Sequence, residues 1–369
     1  MKSDLDETAQ RRRDLVGLGA FGVAALALPF RAWARSTAAN APTLRRFDAI
    51  VSRRGHSGAL PSLEAALDVA RRRNGAFVIG IDSGTYEEKI RIDRPGLVLA
   101  GLGKGSVVSF DASAGQPAPD GKPWGTGGSA TLTIEAADVT LSNLIIANSF
   151  DFLRSIPSGE HGGRQAVALS LAGGADRTIV RDCRILGYQD TLYAREGRAL
   201  FDGCTISGGT DFIFGGAAAL FRRCTIVSRL VPGAAIQGYV AAPSTPERQA
   251  IGLAFDQCRL LREDGVPDAS VFLGRPWRSS GNMDLTGFAA FLDCWMDAHI
   301  RSEGWTAMHY RSPGGPDGWL TPQQARLYEQ GSRGPGAGHF SAVRRQLPPA
   351  LASAIRRQAM FGAWRPALD

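Results

Sequence analysis

Asp182-Cys-Arg-Ile185, Asp202-Gly-Cys-Thr-Ile206 and Arg222-Arg-Cys-Thr-Ile226 repeat one pattern, in which a cysteine is followed two residues later by isoleucine. The cysteines stand at 183, 204 and 224, so the period is 21 and then 20. A period in that range is the mark of a solenoid. If each period is one coil of a parallel β-helix, residues one period apart stack at about the 4.8 Å strand spacing. Two aspartates obey the same spacing: Asp190 in Gly187-Tyr-Gln-Asp-Thr-Leu-Tyr193 and Asp211 in Asp211-Phe-Ile-Phe-Gly215. They are expected to be neighbours on one face, in one active site.

The chain around this repeat has 369 residues, 44% hydrophobic and 8% aromatic, enough for a sizeable core and unlike a disordered chain. Its 45 glycines and 20 prolines are spread without a clear linker, which suits one β domain of short strands and many turns. Residues 1–34 read as a leader: Arg11-Arg-Arg-Asp-Leu-Val16 precedes the 15-residue apolar stretch Val16–Phe30, which ends at Ala32-Trp-Ala34. Paired arginines before a glycine-containing apolar stretch are the pattern of a twin-arginine export signal. The stretch is shorter than the roughly 20 residues that span a bilayer. A cleaved leader, a linker over 35–45 and a catalytic domain over 46–369 follow, with the mature protein soluble, off the membrane, and periplasmic or extracellular.

The formal charge is +7, and the leader contributes +1 of it (Lys2, Arg11, Arg12, Arg13 and Arg31 against Asp4, Asp6, Glu7 and Asp14), leaving +6. A basic exported protein suits an anionic partner. Nucleic acid would give the same sign, but no helix-turn-helix, zinc or RNA-binding signature and no basic tract follows the leader. Zinc is not expected either, because no Cys-x-x-Cys or cysteine–histidine cluster occurs. No motif gives the five histidines a role, and solvated loop positions are expected for them.

Along the chain, Leu63, Ala66, Leu67 and Val69-Ala70 lie at helical spacing within Leu60–Arg73, with Ser62 placed to cap, so a short helix should close the N-terminal end. An open coil end would expose strand edges and core. Phe77–Ile81, Leu97–Leu99, Ala130–Ile134 and Val139–Ile146 read as strands. Gly101-Leu-Gly-Lys-Gly-Ser106 lacks the spacing of a phosphate loop and reads as a turn. Asp111–Thr126, Phe150–Arg164 and Ser279–Met283 read as groove-forming loops. Thr321–Glu329 and Pro348–Met360 read as helices on the outside.

Six ordered motifs carry a resemblance: Gly84-Thr-Tyr-Glu-Glu88, Thr126-Gly-Gly-Ser-Ala-Thr131, Gln165-Ala-Val-Ala-Leu169, Gly187–Tyr193, Asp211–Gly215 and Leu273-Gly-Arg-Pro-Trp277. Over roughly Arg46–Gly338 the chain resembles the pectin methylesterase (pectinesterase) family. Ile236-Gln-Gly-Tyr-Val-Ala-Ala-Pro-Ser244 is similar to bacterial members and differs from the plant type. The resemblance implies an all-β, single-stranded right-handed parallel β-helix that hydrolyses methyl esters of galacturonan without a metal or other cofactor. Methyl-esterified pectin would be the partner and a monomer the working form. The family pattern also suggests a Cys204–Cys224 disulfide, one coil apart and within the usual Cα range; the alternative is that all five cysteines are small inward-facing core residues.

By motif position, Asp211 would be the nucleophile and Asp190 the acid that protonates the leaving methoxide and later activates water. Two adjacent carboxyls supply the needed asymmetry, since like charges raise one pKa. Arg275 would hold Asp211 ionised and oriented. Gln165 and Gln189 would donate to the oxyanion, which requires a turn at Gln189-Asp190 because adjacent strand residues face opposite ways. Tyr193, Phe214 and Trp277 would stack on sugar rings, and Thr126 would hydrogen-bond a sugar. Competing readings are an acyl-CoA thioesterase, a non-catalytic polysaccharide-binding β-helix and a calcium-dependent lyase. Export and the aromatic set oppose the first, the retained polar set opposes the second, and the lack of a dense acidic cluster opposes the third.

Overall fold

The computed structural model describes residues 47–55, 57–156, 163–312 and 314–367, all within the unit Arg46–Asp369. The leader and His161 lie outside the described residues. The strands form three parallel sheets of eleven, eight and seven strands among the described residues, with one antiparallel hairpin, Met308–Tyr310 with Gly318–Leu320. The chain visits the sheets in rotation. Thr178–Arg181, Arg184–Leu186 and Leu192–Ala194 make one coil, and Arg198–Asp202, Thr205–Gly208 and Ile213–Gly215 lie on them in register. This is a parallel β-helix.

The repeat that reveals the fold marks one corner of it. Between the eleven-stranded and eight-stranded sheets the chain turns through a single left-handed residue, successively Asn143, Asp182, Gly203, Arg223, Gln257, Asp293 and Gly331, each with φ between 50° and 68°. Only glycine takes this conformation without strain, yet five of these seven corners use other residues. The position after the corner points inward and is a cysteine in five coils. Two residues further on, Ile146, Ile185, Ile206, Ile226, Leu260 and Met296 pair coil on coil, all essentially inaccessible. On the eleven-stranded sheet Phe201, Phe221, Phe255 and Phe291 stack inside at centroid spacings of 4.7, 4.7 and 4.4 Å. Burial of these rungs drives the fold, since each coil covers the apolar face of the last.

All five cysteines are free and buried, so the expected Cys204–Cys224 bridge is not formed. Four of the thiols instead donate to a carbonyl of the preceding coil: Cys204 to Val180 O (3.3 Å), Cys224 to Phe201 O (3.4 Å), Cys258 to Phe221 O (3.4 Å) and Cys294 to Phe255 O (3.5 Å). The small-hydrophobe reading is the one the structure bears.

The N-terminal helix is Leu63–Arg71, as the spacing predicts, and Ser62 accepts from Ala65 N. Its first turn has a second cap that sequence reading missed. Glu88 accepts from Leu63 N and Glu64 N at 3.0 Å each, satisfying orphan donors where the helix dipole favours an anion. Val139–Ile146 is two strands, not one, because Asn143 turns the chain between Thr140–Ser142 and Ile145–Asn148. Thr321–Glu329 is no helix: Arg326–Gln330 is a strand pairing with Phe288–Leu292. Its inward Glu329 hid the strand alternation, and the fully buried Arg344 pairs with it at 2.6 Å. Pro349–Arg356 is a helix, and with Phe361 it covers Leu200, Leu220, Ala254 and Ala290 on the outward face of the eleven-stranded sheet. His299 is 0% exposed, against the expectation of a solvated loop position.

Candidate active site

The seven-stranded sheet carries the site on its outward face. Between Arg184–Leu186 and Leu192–Ala194, and again between Thr205–Gly208 and Ile213–Gly215, a short bend ends on an aspartate with positive φ: Asp190 at 62° and Asp211 at 50°. This is the turn that the Gln189-Asp190 placement required. The left-handed conformation re-aims each carboxylate before its strand begins, and such strain persists where surrounding structure holds it. Both aspartates are buried, at 9% and 7% exposure.

Arg275 follows the strand Val271–Gly274 and clamps Asp211 with both arms of its fork, Nε to Oδ1 at 2.9 Å and Nη2 to Oδ2 at 2.7 Å. Bidentate charge-assisted pairs fix orientation as well as charge. Burial opposes the Arg275 charge, but Asp211 above all holds it above its ordinary range. Asp190 stands in the opposite situation. Burial first, and then the Asp211 charge, push its carboxyl well above the usual range, outweighing the pull of Arg275. One carboxylate is clamped by a cation while its neighbour is driven toward the neutral acid.

Gln165 and Gln189 are half-buried on adjacent coils, joined through the backbone by Ala166 N donating to Gln189 O at 3.1 Å. Beside them Tyr193 and Phe214 stack at 4.2 Å and 8°, and Trp277 meets Phe214 edge-on at 5.7 Å. Phe214 is only 2% exposed, so it backs the platform, and the half-buried Tyr193 and Trp277 rings present it. Thr126 stands in the short helix Gly125–Gly128, half-buried.

A groove runs past this platform. One depression of about 520 Å³ is lined by Lys89, Arg91, Trp124, Thr133 and Ser170 among others; a second of about 320 Å³ includes Ser244, Arg248 and Trp277; Tyr193 and Arg195 border both. The carboxylates sit at the corner just before the strands that form its floor. Arginines 91, 195 and 248 and Lys89 outnumber Glu135 and Glu196 in the groove and leave it net basic, although Arg91 is paired with Glu135. Burial draws the Lys89 amine down to about 8, and its Nζ lies 4.5 Å from the Trp124 ring centroid.

Sequence reading brought together Asp190, Asp211, Arg275, both glutamines and the aromatic platform. It missed the residue that ties the groove walls down. Asn148 is buried, and its Nδ2 donates to Ala112 O (2.8 Å), Val167 O (3.0 Å) and Ser129 O (3.1 Å), joining the two loops that carry Thr126 and Gln165. It missed Lys89, Trp124 and Tyr239 as well. A position at the end of the strand Ile145–Asn148, just before the long segment Phe150–Arg164, was the available signal for Asn148.

The comparisons with known proteins agree with this architecture. The family model described as Pectinesterase matches residues 48–316. Pectinesterase A of Dickeya chrysanthemi is 36% identical over 341 residues, covering 87% of this chain and 92% of that protein. The solved structure of pectin methylesterase PemA from Erwinia chrysanthemi superposes with a TM-score of 0.82 at 36% identity, covering 88% of this chain and 99% of that one. A structure of pectin methylesterase in complex with a hexasaccharide matches equally, with a TM-score of 0.82. Pectin methylesterase from Yersinia enterocolitica gives a TM-score of 0.78 at 34% identity over 83% of this chain and 99% of that one. With its coils, its aspartate pair and these relatives in agreement, this chain belongs to the pectinesterase family and is a carboxylic ester hydrolase.

Proposed function

We propose that the protein hydrolyses the C6 methyl esters of homogalacturonan to pectate and methanol, with Asp211 as nucleophile. The observation that carries this reading is the split pair: Asp211 clamped by Arg275 at 2.7 and 2.9 Å, and Asp190 beside it pushed toward the protonated form. The Asp211 carboxylate attacks the ester carbonyl carbon, and Gln165 and Gln189 donate to the developing oxyanion. The tetrahedral species collapses, the carbon–methoxy bond breaks, and Asp190 gives its proton to the leaving oxygen, releasing methanol. The resulting acyl–Asp211 anhydride is opened by water, one of whose protons returns to Asp190 while its hydroxyl adds to the acyl carbon. The Asp211 carboxylate leaves, and the galacturonic acid formed loses its remaining proton to solvent.

Tyr193 and Trp277, backed by Phe214, would carry sugar rings, and Thr126 would hydrogen-bond one. The aromatic platform of Tyr193 and Trp277 backed by Phe214 supports a sugar chain over a nucleotide thioester. Export through the 1–34 leader and action as a monomer belong to the same proposal. Among the described residues no helix is long and apolar enough to cross a membrane. The reaction class is tested by methanol release from highly methylated pectin, with and without EDTA, beside thiol release from an acyl-CoA. Methanol unaffected by chelator, and no thiol, is the expected result. Thiol release without methanol from folded protein would replace this reading with the thioesterase one.

A further inference from the structure

Arg275 is held from two sides. Its fork faces Asp211, and the face of its guanidinium lies 3.9 Å from the ring centroid of Tyr239. Tyr239 continues the register of the two aspartates. Ile213 pairs with Ala241 and Tyr239 with Phe272, so Asp190, Asp211, Tyr239 and Phe272 occupy one column along the coils. The coils approach closely here: a Cβ on Gly238 would meet Gly209 O at 2.0 Å, and Tyr239 N donates to that same carbonyl at 3.0 Å. A side chain at 238 would push the two coils apart at this point.

The ring is itself braced. Tyr239 stacks on Phe272 at 5.6 Å and 9°, and the Arg301 guanidinium lies over Phe272 at 4.9 Å. The order is carboxylate, guanidinium, ring, ring, guanidinium. A guanidinium on an aromatic face is attracted by the ring quadrupole and loses freedom to tilt. A fork that cannot tilt keeps both donors in the carboxylate plane, and displacement of a catalytic group by about 1 Å costs about 100-fold in rate.

We propose that Tyr239 is a positioning residue for ester hydrolysis: its ring face fixes the Arg275 guanidinium in the plane that clamps Asp211. The inference rests on Asp211 being the nucleophile, and it needs the ring face but not the hydroxyl.

The test is steady-state methanol release across substrate concentrations by wild type, Tyr239→Phe and Tyr239→Leu, in the native and the Arg275→Gln backgrounds. Tyr239→Phe should stay within about twofold of wild type. Tyr239→Leu should lose about three- to thirtyfold in kcat, the range of a cation–π contact, with KM changed less than twofold. In the Arg275→Gln background the same Leu substitution should cost less than twofold, because the group it acts through is gone. Equal losses for Phe and Leu, a loss confined to KM, or an undiminished loss in the Arg275→Gln background would each overturn the proposal. A wild type silent on pectin would refute the proposed reaction instead. The Tyr239–Arg275 coupling would then be read by thermal unfolding of wild type, Tyr239→Leu, Arg275→Gln and the double variant, where additive shifts in Tm would overturn it.

Discussion

Asp190 is a group the folded protein prefers neutral. Burial and the Asp211 charge raise its pKa in the fold, whereas the unfolded chain ionises it in the ordinary carboxylate range, near 4. A raised folded pKa contributes stability below the unfolded pKa, and that stability is lost as pH rises toward the folded value. At pH 7 Asp190 is therefore a cost to folding that function retains. Asp190→Asn should be inactive yet melt about 2–4 °C higher than wild type at pH 7, with the gain shrinking as pH falls from 7 toward about 4, where the unfolded carboxyl is protonated too. Calorimetry across that pH range checks this, and a lower Tm at pH 7 would contradict it. The pair was legible in the sequence because both members fall on the same 21-residue spacing as the cysteines. Asn148, Lys89 and Tyr239 were not, because their contacts cross coils of unequal length, where no fixed offset links a residue to its neighbour.

The elements show the same division. The Cys-x-Ile repeat gave away the corner and the inward rungs, since both recur at one place in every coil. The C-terminal cover was half legible. Pro349–Arg356 carries a helical pattern, but the strand Arg326–Gln330 puts a glutamate inward, which only its partner Arg344 explains. That cover is a second core: Phe361 is 0% exposed and packs with Leu200, Leu220 and Ala254 on the sheet away from the groove. Phe361→Ala should cost about 3–5 kcal/mol of stability, through lost burial and the cavity left. The site lies on another sheet, so methanol release at low temperature should stay near wild type. Denaturant unfolding and an initial-rate assay read the two effects separately. Loss of activity from a variant that remains folded would tie the cover to the site.

For the whole molecule, acid tolerance is set in part far from the chemistry. His299 is inaccessible, both ring nitrogens lack hydrogen-bond partners, and burial lowers its pKa from 6.5 to about 4, with Asp297 and Asp268 acting the other way and Arg262 adding to the drop. A depressed folded pKa gives stability that is complete above 6.5 and is lost as pH falls toward about 4. The Tm should decline over that window, and His299→Leu should flatten the decline; an unchanged slope would show that His299 does not set it. What stacking achieves for the molecule is to bring residues of separate coils, Asp190, Asp211 and Arg275, into one corner that no single segment could build. The direct test of that corner is kcat for methanol release from highly methylated pectin by folded Asp211→Ala and Asp190→Ala. A fall of about 10⁴-fold or more in Asp211→Ala, with a large loss also in Asp190→Ala, is the expected result. A folded Asp211→Ala variant within tenfold of wild type would contradict the account.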